Sequence, residues 1–269
     1  MKKILVPTDF SENANKALNV AVQMAKLAKA EIILIHALET VNPGEEKAIA
    51  AEKMGLTVKS ITETEAVKIT TEVIGDSTVN STLDATARHT PDLIIMGTVG
   101  NTGFTEKVFG SRTAALIGKS PVPVLAVPLL SEWKIPKKIL LAINKFDIPE
   151  RLLNPVVALA SLFNSSIQAT IFTDTDDDYV EDYDVHEEKI ANFRDSLKDK
   201  YPGLEIHAVH LAGQHFRKSL QGWIDNNNID ILVMLTHRRT LIGTLFNSSM
   251  TKKMSYHTNI PLLAIPDIS

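Results

Sequence analysis

Short apolar runs alternate along this chain with longer stretches in which apolar residues recur every three or four positions. The runs Ile4–Val6, Glu31–His36, Val67–Val73, Asp92–Met96 and Val122–Val127 are brief and mostly β-branched or leucine-rich. They predict strands buried on both faces, as a parallel sheet requires. Between the first two, Ser11–Ala30 sets Ala17, Leu18, Val20, Ala21, Met24, Ala25 and Leu27 on one helical stripe. Strands alternating with helices predict right-handed βαβ crossovers and a doubly wound α/β sheet.

The pattern then repeats. Strands are predicted near Lys138–Ile143, Ser166–Phe172, Leu204–His210, Asp230–Met234 and Pro261–Ile265. Helices fall near 148–162, 185–200, 216–226 and 246–256. Residues 91–128 align without a gap on 229–266 at an offset of 138, with Asp92 on Asp230, Met96 on Met234, Pro123 on Pro261 and Pro128 on Pro266. KKILVPTD from Lys2 matches KKILLAIN from Lys137. The chain therefore reads as a duplicated domain, 1–128 and 137–269, joined by a linker over 129–136 that Pro128 and Pro136 bracket. The expected architecture is two tandem doubly wound parallel-sheet domains of five strands each.

A length of 269 residues suits two domains, each able to bury its own core. A composition of 44% hydrophobic and 22% charged residues suits a soluble globular chain. The net charge of -4 argues against a general binder of nucleic acid or anionic membrane. The absence of cysteine removes disulfides and thiolate metal sites from consideration. With neither a signal-peptide core nor an apolar run of membrane-spanning length, the expected location is the cytoplasm.

Candidate chemistry concentrates in Gly97-Thr98-Val99-Gly100 and, nine residues on, Gly110-Ser111. A strand ending at Met96 and a helix opening near Ser111 place both clusters at the carboxyl edge of the sheet, where doubly wound folds bind ligands. Glycine lets the backbone approach a phosphate, and free N–H groups at a helix start complement anionic oxygens. Ser111 adds a hydroxyl donor and Arg112 a positive charge. Turns and a helix cap would account for the same glycines without any ligand.

PTDFS at Pro7–Ser11, ILIHAL at Ile33–Leu38 and G-x2-G-x9-G-S ending at Ser111 occur in this order and spacing, and together they resemble a universal stress protein of the ATP-binding type. The repeat resembles the tandem members of that family. The resemblance implies adenine contacts at Asp9 and at the Ala37 backbone. It places ribose and phosphates on Gly97, Gly100, Gly110 and Ser111, with Pro7, Thr8 and Met96 shaping the pocket wall. Val99 stands where the family often has a polar residue. The implied ligand is ATP, alone or with Mg²⁺, and the implied role is a nucleotide-dependent stress-response regulator. Two alternatives use the same residues: a slow ATPase or phosphotransferase, and a nucleotide-free interaction scaffold. No catalytic residue is assigned, because no nucleophile elbow, Walker loop or HExxH helix is present.

The second half departs from this motif. Asp9 aligns with Asn144, Pro7 with Ala142, and the glycines with Leu235, Arg238 and Ser248, so 137–269 reads as a domain that keeps the fold and has lost nucleotide binding. The acidic run 173–188 fails as a calcium loop, since Tyr179 falls where glycine is needed and Val185 where the bidentate acid belongs, and it reads as a solvated loop and helix start. His207 and His210 should point to opposite strand faces, which argues against zinc. His36 suits a packing or supporting role. The apolar strands Val124–Val127 and Leu262–Ile265 end the two domains and would be exposed edges, so they are expected to face each other as an internal pseudo-dimer, leaving homodimerisation to other surfaces.

Overall fold

The computed structural model describes residues 1–39, 44–98, 110–175, 181–237 and 259–267, which form two compact units, Met1–Ser131 and Glu132–Asp267. Gly100, Val99 and Gly103 of the glycine motif, Arg238, Ser248 and Ser249 of its counterpart, the helix expected over 246–256 and Asp176–Asp178 lie outside the described residues.

The first unit runs β1 (Lys3–Thr8), α1 (Glu12–Ala28), β2 (Glu31–Ala37), α2 (Gly44–Thr62), β3 (Ile69–Ile74), α3 (Thr78–His89), β4 (Leu93–Gly97), α4 (Ser111–Lys119) and β5 (Val124–Val127). Its strands are parallel and ordered β3-β2-β1-β4-β5. Chain order reverses between β1 and β4, which makes the carboxyl ends of those strands the switch point. Its central strands are apolar, with Ile4, Leu5, Val6, Ile94 and Ile95 fully buried. Ser11 caps α1 by accepting from the Ala14 N–H, and the helix buries Ala17, Leu18, Ala21, Met24 and Ala25 on one face. Each large side chain on that face contributes about 1.5–3 kcal/mol of burial.

Helices α2 and α3 carry weak apolar patterns. α2 buries only Ala50 and Met54. α3 buries Ser81, Thr82, Ala85 and Thr86, and the Thr82 and Thr86 hydroxyls donate to the Thr78 and Thr82 carbonyls at 2.6 and 2.7 Å. This is a core-facing stripe in which the two threonine hydroxyls are satisfied by the helix itself, while the buried Ser81 hydroxyl has no hydrogen-bond partner among the described residues. β3 starts two residues later than its apolar run, because the Val67 N–H closes a turn on the Glu65 carbonyl.

The second unit runs β6 (Lys138–Ala142), α5 (Glu150–Phe163), β7 (Ser166–Asp174), α6 (Glu181–Lys200), β8 (Ile206–Gly213), α7 (Phe216–Asn227), β9 (Ile231–His237) and β10 (Leu262–Asp267). Its parallel order is β8-β7-β6-β9-β10. The protein is thus a tandem of α/β domains of one topology.

Two devices recur at matching places. Asp92 accepts from the backbone N–H groups of Lys2 and Lys3, and Asp230 accepts from those of Lys137 and Lys138 at 2.8 and 3.0 Å. Each carboxylate staples the start of a central strand. Helices α1, α3, α5 and α7 all end in a left-handed residue, Lys29, Thr90, Asn164 and Asn228, with φ of 52°, 47°, 54° and 52°.

Candidate functional site

The loop from β1 to α1 is shaped by its own polar groups. The Phe10 N–H donates to Thr8 Oγ1 and the Ser11 N–H to Asp9 Oδ1, both at 3.0 Å. Between them Phe10 adopts φ 60°, a left-handed conformation costly for a residue with a bulky side chain. Its ring packs on His36 at 4.6 Å, with Lys53 Nζ 5.7 Å from the ring centre. His36 Nδ1 lies 2.7 Å from the Thr8 carbonyl. That oxygen can only accept, so Nδ1 carries a proton and the imidazole acts as a brace beneath the loop.

On the other side of the switch point, β4 ends in Gly97 and leads to buried Thr98. A Cβ on Gly97 would meet the Asn13 side chain at 2.7 Å and its carbonyl at 2.9 Å, and one on Gly110 would meet the Thr98 carbonyl at 2.9 Å. Both glycines therefore have a steric reason within the chain, independent of any ligand. The Gly110 N–H donates to the Thr98 carbonyl at 2.6 Å, and the Thr113 hydroxyl donates to the Gly97 carbonyl at 3.1 Å. These bonds bring the start of α4 back against β4. Gly110 is the N-cap of α4 and no described side chain caps this helix. In the same unit Ser11 caps α1 and Ser77 caps α3.

Between the two loops lies a cleft of about 270 Å³. Of the residues singled out by the sequence, Pro7, Thr8, Asp9, Met96, Gly97, Gly110, Ser111 and Arg112 line it together. Ala37 ends β2, one position past His36, and is not among the lining residues. Gly100 lies outside the described residues. The cleft also takes in Ser11, Ala14, Thr78, Thr98 and Thr113. Of these, Thr98 sits within the glycine motif, whereas Thr78 opens α3, a helix the hydropathy pattern does not mark.

In the second unit Asn144 replaces Asp9 and buried Leu235 replaces Gly97. The His186–His210 region holds a different polar cluster. Thr173 Oγ1 lies 2.7 Å from His186 Nδ1 and 2.8 Å from His210 Nε2, and the Tyr183 ring packs on His210 at 4.3 Å. Burial pushes the His210 imidazole below its ordinary range, helped by the charge of His186 and opposed by Glu187. His207 is exposed and paired with Glu205 at 2.8 Å. Among the described residues no group of three or more His, Asp or Glu could hold a metal ion, and no described helix is long and apolar enough to cross a membrane.

Comparison with known proteins bears on both units. The universal stress protein family matches residues 1–128 and again 136–266. A universal stress protein of Methanocaldococcus jannaschii is 32% identical over 154 residues, covering 51% of this chain and 84% of that protein. One from Synechocystis is 29% identical over 134 residues, covering 47% of this chain and 85% of that protein. The crystal structure of a universal stress protein from Archaeoglobus fulgidus covers 98% of both chains with a TM-score of 0.75 at 19% identity, a likeness of fold. With the family matched twice over nearly its whole length, the chain belongs to the universal stress protein family as a tandem of two such domains.

Proposed function

We propose that the first unit binds an adenine nucleotide, ATP foremost, in the cleft between β1 and β4, and that the protein is a cytoplasmic stress-response regulator acting through occupancy of that cleft. The observation that carries this reading is the start of α4. Its leading N–H groups have no capping side chain among the described residues, and they open on the same cleft as Asp9. Such a helix start complements phosphate oxygens. In this reading Asp9 and the Ala37 backbone take the adenine. Gly97, Gly100, Gly110 and Ser111 take the ribose and phosphates, while Pro7, Thr8 and Met96 form the wall and Arg112 supplies charge. The second unit is proposed to leave nucleotide unbound, since Asn144 and Leu235 replace Asp9 and Gly97.

Calorimetric titration with ATP tests this directly. The expected result is one ATP per chain, with Asp9→Ala weakening binding about 10- to 100-fold through loss of a charge-assisted hydrogen bond. Two sites per chain, or an Asp9→Ala affinity equal to wild type, would overturn it.

A further inference from the structure

Glu39 lies two residues beyond β2, and its carboxylate joins two elements at the cleft's mouth. It accepts from the Thr78 backbone N–H at 3.2 Å and from the Thr78 hydroxyl at 3.4 Å, which ties it to the first residue of α3. The same carboxylate lies 3.3 Å from Arg112 Nη2 and accepts a hydrogen bond from it at 3.4 Å. Thr78 and Arg112 both line the cleft, whose described lining holds one cation, Arg112, and one carboxylate, Asp9. The positive charge nearest the α4 helix start is therefore already shared with an acid.

We infer that Glu39 grades the ligands of this cleft by their phosphate charge. The inference rests on the nucleotide reading above. Arg112 and Glu39 side chains are 53% and 47% exposed, so their pair is solvated and exchangeable. An incoming phosphate can recruit the planar guanidinium through its fork of donors. Doing so strips Glu39 of its partner and leaves a carboxylate beside the new anion. A ligand without phosphate leaves the pair intact. The opposition grows with the number of phosphate charges, and Glu39 disfavours a triphosphate more than a monophosphate and a monophosphate more than a nucleoside.

Glu39→Gln separates this role from a structural one, because the amide oxygen still accepts from Thr78 while the charge is gone. The variant, wild type, Arg112→Gln and the double variant would each be titrated with ATP, AMP, adenosine and inorganic triphosphate. Thermal unfolding would verify that each is folded. Glu39→Gln should bind ATP and triphosphate about two- to fivefold tighter, the range an exposed ion pair supports, with a smaller gain for AMP and none for adenosine. The gain should shrink in the Arg112→Gln background and at high salt. An equal shift for adenosine and ATP, no shift, or weaker ATP binding would overturn the inference. If neither ATP nor adenosine binds wild type, the nucleotide reading fails instead, and the triphosphate titrations still decide whether Glu39 opposes anions.

Discussion

The same point of the fold is built in opposite ways in the two units. In the first, β4 ends in Gly97, packed so tightly on α1 that a Cβ would lie 2.7 to 2.9 Å from Asn13, itself 2% exposed. In the second, the corresponding positions are Leu235 and Ile148, 9% and 8% exposed. One unit brings backbone close to a polar side chain, and the other has two buried apolar side chains at the matching positions. A nearby anchor is kept while its chemistry changes. Lys16 donates to the Leu129 carbonyl at 2.7 Å, and its counterpart Arg151 donates to the buried Asp267 carboxylate, the residue matching Leu129, also at 2.7 Å. The difference teaches that a glycine at this turn reports a close approach of β4 and α1. Its value for ligand binding depends on what else faces the cleft, here Asp9 and a start of α4 that no described side chain caps.

The largest effect should come from exchanging these residues. Leu235→Gly leaves a cavity and adds backbone freedom to a buried strand, so it should cost about 3–5 kcal/mol of unfolding free energy. Gly97→Leu overpacks the first unit and should cost about 1–3 kcal/mol. Adding Asn13→Ile should recover part of the second loss but not all, because the Asn13 carbonyl stays 2.9 Å from the new Cβ. Chemical denaturation of the three variants checks this. A Gly97→Leu variant as stable as wild type would show that the first unit can open at this point, and the contrast between the units would collapse.

A smaller contrast lies at the strand staples. Asp230 is only 6% exposed, bonds to two backbone N–H groups and lies 3.0 Å from Lys134 Nζ, whereas Asp92 does the same stapling at the surface. Asp230→Ala should cost about 2–3 kcal/mol and Asp92→Ala about 1 kcal/mol, since burial makes the orphaned donors more costly. The pH dependence has a definite sign. Burial would raise the Asp92 carboxyl, but the N–H groups of Lys2 and Lys3 outweigh it and hold the group below the ordinary range. Its contribution is therefore present above the unfolded carboxyl's range and lost as pH falls through the folded one. Asp92→Asn should flatten the acid limb of the stability curve, and an unchanged limb would remove Asp92 as its source.

How much of this was legible follows from what each feature looks like in hydropathy. The central strands were readable because Ile4–Val6 and Ile94–Met96 are apolar on every residue, the signature of burial on both faces. Helix α3 was not, since its buried stripe is Ser81, Thr82 and Thr86, residues that score as polar, and the two threonines hide their hydroxyls in the helix backbone. Thr78 and Glu39 were missed with it. The glycine motif pointed to the right edge of the sheet, yet the contact of Gly97 with Asn13 joins residues 84 positions apart (97 less 13), which no local pattern encodes. The left-handed Phe10 is equally silent in sequence, because it is held by Thr8, Asp9 and a histidine from the neighbouring strand.

The finest contrast is at the helix ends. Thr90 closes α3 at φ 47° and Asn228 closes α7 at φ 52°, each donating its N–H to the carbonyl four residues back. A left-handed backbone crowds any Cβ against its own carbonyl, and a β-branched side chain adds to the crowding, whereas asparagine tolerates the region best after glycine. Thr90 is exposed, so little packing offsets the strain. Thr90→Asn should therefore stabilise the first unit by about 0.5–1 kcal/mol, or roughly 2–4 °C in melting temperature. Asn228→Thr should destabilise the second unit by a similar amount, and Lys29→Asn should help less than Thr90→Asn because lysine lacks the β-branch. Scanning calorimetry on the full chain reads all three. If Thr90→Asn leaves the melting profile unmoved while Asn228→Thr lowers it, α3 does not depend on its last turn, and the two units differ in how far helix ends contribute to stability.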